Sequence, residues 1–318
     1  RLVLLMTIAQ ELDPEFSRLY GYLNDHYGRQ YPTLSLLSDL LSSEQERFRP
    51  SELIGPEAPL TRWHLVRLAP MPAEVPTLQR PLVVEERVLR YVRGATGLDV
   101  QLAPYATLWP KSAPNIAPFF VTGPAQTVWD QAAEVVENAQ LNGRLPRVVL
   151  RGPAGIGKRR WAYEVARALE RPMLVVDLAA MSGGQAAFPE LMRAVVREAQ
   201  LHDALLCLLQ WESLVHARPV TLDPEGHQQA APPDRPHLGP SRALARGLSD
   251  FQGALVVAIE DAIAPQPDLG APLDEFAIPL PDRVMSDAFW HLHLPGFARE
   301  HGVHNDALKA AFQCLFVN

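Results

Sequence analysis

The stretch that most constrains this chain is VVLRGPAGIGKRRWAYEVARALE, running from Val148 to Glu170. It starts as an apolar strand, passes Gly152, Gly155 and Gly157, reaches Lys158 and continues as a helix. Ala162, Val165, Ala166 and Leu169 recur at helical spacing, so that helix has one apolar face to lay on a sheet. Glycines let consecutive N–H groups turn toward one point without a Cβ clash, and a helix N-terminus adds its positive dipole end. A lysine placed just there reaches outer phosphates. A bare glycine turn needs neither the lysine nor the helix. The candidate phosphate-binding residues are therefore Gly152, Pro153, Ala154, Gly155, Ile156, Gly157 and Lys158, with Arg159 and Arg160 beside them. Arg159 departs from the pattern, because a Ser or Thr hydroxyl that helps hold Mg2+ is expected after the lysine. A guanidinium cannot ligate a metal, but it pairs well with phosphate. Nucleotide binding survives that change more easily than Mg2+ positioning does.

Apolar strands and amphipathic helices alternate around this loop. Strands are expected at 147–151, 172–177, 204–209, 254–259 and 276–280, with helices at 128–141, 157–170, 188–200 and 241–251. Such alternation argues for an α/β fold with a parallel sheet covered on both faces. Two further helices, 287–301 and 305–316, form a partial helical lid. Ahead of this region, Leu4, Leu5, Ile8, Leu12, Phe16, Leu19, Tyr20 and Leu23 mark residues 1–30 as helical. A second helix is expected at 33–41, and a third at 51–57 and 60–65, interrupted by Gly55 and Pro56. Strand-like pieces at 64–68 and 78–84 follow, joined by APMPAEVP, and then a helix at 85–93. Helices followed by a hairpin is the order of a winged-helix domain. Five prolines in 103–126 read as a linker. The expected division is 1–102 winged-helix-like, 103–126 linker, 127–284 nucleotide-binding and 285–318 lid.

A formal charge of −7 opposes general nucleic-acid binding, and 47% hydrophobic residues suffice for a sizeable core. Cys207 and Cys314 read as buried small hydrophobes, which makes a reducing, cytoplasmic compartment the default. The apolar stretch at the start is too short to span a bilayer, so no membrane insertion is expected. The start without methionine reads as a fragment or a processed terminus.

Hydrolysis asks for acids at the strand ends. The third strand, ALLCLLQWESL, puts Leu209 or Gln210 where a metal-holding carboxylate is expected, and the nearest acid is Glu212. Glu212 is either a catalytic base or an exposed residue that starts a helix. In ALVVAIED, Glu260 and Asp261 fall where a polar sensor of the terminal phosphate would sit; Glu260 is the sensor candidate, and Asp261 reads equally well as a cap. Asp177 is expected to cap the turn after its strand. His291, His293, His301 and His304 lack an acidic or cysteine partner at ligand spacing and read as lid surface, so no metal site is assigned to them. Residues 213–240 read as a long polar loop. Met181, Ser182, Gly183 and Gly184 stand where ring-forming ATPases carry a substrate-gripping loop, but the expected aromatic is missing.

From about Val128 onward, this order resembles the AAA+ ATPase domain, with Walker A at Gly152, Gly155, Gly157 and Lys158 and a degenerate Walker B at Glu212. The whole chain is similar to AAA+ ATPases encoded with phage-tail-like contractile injection systems, in FSRLYGYLNDH, RPLVVEERVLRYVRG and GPAGIGKRRWAYEVARALERPMLVVDL. The resemblance implies ATP and Mg2+ as cofactors, ATP hydrolysis, assembly into a homo-oligomeric ring, and protein partners in a complex that is built or remodelled. Arg283 lies near the place of an arginine finger, and the family's lid arginine would fall beyond Asn318. Two rivals stay open. One is a nucleotide-binding scaffold without hydrolysis, favoured by Arg159 and the missing Walker B Asp. The other is a DNA-acting ATPase, for which Arg47, Arg49, Arg62 and Arg67 give slight support.

Overall fold

A computed structural model of the chain describes residues 1–41, 54–55, 58–72, 74–112, 119–182, 187–215, 220–222, 228–230, 239–248, 251–260, 264, 266, 268–269, 272–282 and 285. The expected helices at 287–301 and 305–316, the four clustered histidines, Arg47, Arg49, Gly183, Gly184, Asp261, Arg283 and Cys314 lie outside the described residues. Two compact units are present. One is Arg1–Ala103 joined by Pro189–Leu201, and the other is Pro104–Phe188 with the described residues from His202 onward.

In the first unit the expected helix over 1–30 is two helices, α1 (Leu2–Leu12) and α2 (Glu15–Leu23). Pro14 disfavours helical geometry at the residue before it, and Asp13 is extended. The Asp13 carboxylate then accepts the N–H of Glu15 at 2.9 Å and restarts the helix. Beyond α2, the Asn24 amide donates to the carbonyls of Tyr20, Arg29 and Tyr31 at 2.8, 3.0 and 3.1 Å and pins the loop between them. Thr33 donates to Asn24, and its hydroxyl also accepts from the N–H of Leu36, opening α3 (Leu34–Leu41).

A short helix, α4 (Pro59–Arg62), leads to an antiparallel pair, β1 (Val66–Leu68) and β2 (Leu82–Val84). The strand expected at 78–84 is confined to its last three residues, and Thr77–Gln79 is a 3-10 turn instead. Val3, Leu34, Leu37, Val66 and Leu82 make the core beneath the hairpin. Helix α5 (Glu86–Val92) follows.

The second unit is built on a six-stranded sheet. Its strands are β3 (Ala106–Trp109), β4 (Arg147–Arg151), β5 (Met173–Asp177), β6 (Leu205–Leu209), β9 (Leu255–Ile259) and β10 (Asp274–Ala277), in spatial order β10-β4-β9-β6-β5-β3. Five of them run parallel, and β3 runs antiparallel along the edge of β5. Every residue of β9 is buried, as a central strand covered on both faces requires.

Two expectations need correction here. The stretch 103–126 is not only a linker: Ala106–Trp109 forms β3, and Pro124 already begins the helix α6 (Pro124–Leu141). An edge strand leaves a weak periodic signal because one side of its backbone stays unpaired, and flanking prolines mask it further. Nor is 213–240 structureless, since it carries most of the short helix Glu212–Val215 and the antiparallel pair β7 (Val220–Leu222) and β8 (Gln228–Ala230). The last sheet strand also comes two residues earlier than expected. Between the strands lie α7 (Lys158–Ala168), α8 (Leu178–Ser182), α9 (Phe188–Leu201), α10 (Glu212–Val215) and α11 (Gly239–Leu248). No helix among the described residues is long and apolar enough to cross a membrane.

Candidate phosphate-binding site

The strand order decides where a site can form. With β9 between β4 and β6, the loops leaving the carboxyl ends of these three strands are neighbours, and the chain then crosses β4 to add β10. Open α/β sheets hold ligands in the crevice beyond the carboxyl ends, where the order reverses.

The loop 152–158 leaves β4 at that edge. Gly155 (φ +80°) and Gly157 (φ +93°) take left-handed backbone that side chains rarely adopt. The N–H groups of Gly155, Gly157, Lys158 and Arg159 have no hydrogen-bond partner among the described residues. Open donors at a helix start suit an anion.

Lys158 is only 6% exposed, and its ammonium is fully occupied. It donates to the carbonyls of Gly152 at 2.7 Å and Pro153 at 2.8 Å and pairs with the Glu260 carboxylate at 3.5 Å. Glu212 starts α10, and its carboxylate accepts the N–H of Glu260 at 3.3 Å. The structure thus links Lys158, Glu260 and Glu212, three residues singled out separately in the sequence.

The two arginines after the lysine differ. Arg159 has its guanidinium 6.0 Å from the centre of the Trp109 ring and no carboxylate partner among the described residues. Arg160 pairs with Glu164, which also takes Arg167 at 2.9 Å, and stands 5.7 and 5.4 Å from the ring centres of Phe119 and Tyr163. Its Nη2 meets Glu164, while its buried Nε and Nη1 have no hydrogen-bond partner among the described residues. A cavity of about 370 Å3 is lined by Gly155, Gly157, Lys158, Arg159 and Glu260, with Trp109 on its wall. That volume suits a small-molecule site.

Trp109, Leu209 and Gln210 also line the cavity and were not singled out as ligand residues in the sequence. Trp109 lay hidden in the presumed linker, on a four-residue strand too short to show a period. Cys207 on β6 is buried, which pushes its thiol up to about 12 and keeps it neutral. Asp177 caps α8 through the N–H of Ala180 at 3.0 Å.

The donors fit polyphosphate better than Mg2+. No hydroxyl follows Lys158, β6 closes in Leu209 and Gln210, and the Glu212 and Glu260 carboxylates hold a backbone N–H and Lys158. Among the described residues no group of three or more His, Cys, Asp or Glu converges as metal ligands do. No step is routed through that ion.

The winged helix domain, variant, is the family whose description matches this chain, over residues 1–106. The N-terminal region is a winged helix domain. In it, α1 to α3 carry the helical part, and β1 with β2 form the hairpin, whose tip spans 69–81. Comparison with curated proteins found no match.

Proposed function

We propose that the α/β unit binds ATP at the loop 152–158, as a domain of AAA+ type, and that the protein couples this nucleotide to the assembly or remodelling of a protein complex. The observation that carries the reading is that the N–H groups of Gly155, Gly157, Lys158 and Arg159 have no partner among the described residues, beside the buried side chain of Lys158. Gly155, Gly157 and Arg159 are exposed, so an anion can reach these donors at the start of the helix. The position of β9 between β4 and β6 supports the AAA+ type, because it sets Glu260 beside the loop.

Lys158 rests on the loop's own carbonyls. An incoming phosphate takes over the ammonium and leaves Glu260 to sense the terminal group. In the hydrolytic reading Glu212 is the base that orients water, held in place by the Glu260 N–H. The winged helix domain then serves protein contacts within a ring-forming assembly, of the kind that belongs to contractile injection systems. A formal charge of −7 speaks against nucleic acid as the main partner.

A second reading, nucleotide binding without turnover, is favoured by Arg159 and by Leu209 and Gln210 at the end of β6. Titration with a fluorescent ATP analogue, run alongside phosphate release, separates the two. Turnover that disappears in Glu212→Gln supports the enzyme. Binding with no release, unchanged in that variant, supports the scaffold, and an absence of binding overturns both.

A further inference from the structure

We infer that this site takes its nucleotide as the free polyphosphate anion, with Arg159 supplying the positive charge that a divalent cation usually brings. The inference rests on the reading of 152–158 as a nucleotide loop. Arg159 follows the cradle lysine directly, and its side chain lines the same cavity as Gly155, Gly157 and Lys158. Three features keep its charge available.

First, no carboxylate among the described residues pairs with it, whereas Arg160, the next residue, is held by Glu164. Second, the Trp109 ring lies 6.0 Å from the guanidinium. An aromatic face steadies a cation without cancelling its charge. Third, Cys207, close enough for the Arg159 charge to act on its thiol, stays protonated through burial and offers no counter-ion.

The metal side of the site is filled in a complementary way. A cation between Glu260 and Glu212 would have to displace Lys158 from one carboxylate and a backbone N–H from the other. A planar guanidinium is always charged and grips two phosphate oxygens at once, so it does with hydrogen bonds what the ion does by coordination.

Calorimetric titration of the full chain with ATP, once in excess EDTA and once in excess Mg2+, tests this. Dissociation constants within about threefold of each other are expected for the wild type. Arg159→Ala, at an exposed position, is expected to weaken binding in EDTA by about tenfold, the loss of one charge-assisted contact. Arg159→Lys should recover part of it, since the charge returns without the fork. Binding that requires Mg2+, or an Arg159→Ala variant that binds as the wild type does in EDTA, overturns the inference and leaves the nucleotide loop standing. Heat absent under both conditions removes the loop reading and this inference together.

Discussion

In the N-terminal unit Arg87 donates two parallel bonds of 2.7 Å to the Glu198 carboxylate and a third to the carbonyl of Gly97. In the α/β unit Lys158 is equally buried, yet two of its three partners are carbonyls of the loop it is meant to serve, and its acid stands off at 3.5 Å. Arg197, next to Glu198, is answered by Asp99 and by the carbonyl of His64 at 3.3 Å, whereas Arg159, next to Lys158, has an aromatic face and no carboxylate among the described residues. Arg87 and Arg197 are closed on carboxylates, whereas Lys158 and Arg159 line a cavity. A buried ion pair closed in this way locates an element, and an open one prepares for an anion.

The contrast breaks most visibly in the first unit. Arg87→Ala takes two parallel bonds from the buried Glu198 carboxylate, which keeps Arg197 at 3.9 Å, and should cost about 3–5 kcal/mol of unfolding free energy in urea titrations. Replacing both partners by apolar residues of similar size should regain most of that loss. If Arg87→Ala unfolds like the wild type, the pair does not hold α9 in this unit.

Lys158→Ala is the matching change in the second unit. It should weaken ATP binding roughly a hundredfold while moving the unfolding midpoint little, because its partners there are exchangeable carbonyls. An unaltered dissociation constant would refute the loop. Glu260→Gln removes a negative charge from beside the phosphate position and should tighten binding by about threefold in the same titration. Weaker binding would mean that the carboxylate orders Lys158 more than it repels the ligand.

The smallest effect concerns β10. A hydrogen bond from Arg151 at 2.6 Å, with another from Gln266, holds the Glu275 carboxyl below its usual range. A depressed acid contributes stability above its unfolded value and loses it as pH falls through its folded one. Wild-type stability should therefore fall more steeply than that of Glu275→Gln below about pH 4.5. Parallel curves would make the pair a surface contact without weight.

Much of the second unit was legible because its signals are local. A strand such as 147–151 or 255–259 declares itself by an unbroken apolar run, and the glycines of 152–157 sit one residue from the helix they open. What escaped was set by distant partners. β3 exists because Ala106–Trp109 meets Val176 to Met173 across the edge of the sheet, and no periodicity within four residues announces that. Residues 188–200 read as one more helix of the alternating region. Yet Pro189–Leu201 belongs with the N-terminal unit, through Arg87 and Glu198, 111 positions apart. The pairing of Glu212 with the Glu260 N–H, 48 positions apart, escaped for the same reason.

By itself the sequence determined the glycine loop with its lysine, the alternation of strand and helix, and the helices-then-hairpin order of the winged helix domain. Those features depend on residues within a turn or two of one another, whose backbone preferences act before any long-range contact forms. Only the tertiary structure decided which strands are neighbours, that Trp109 walls the cavity, and that Arg160 pairs with Glu164 while Arg159 meets no carboxylate among the described residues. The charge of an arginine is written in its side chain, but whether that charge is available depends on what the fold brings within reach of it.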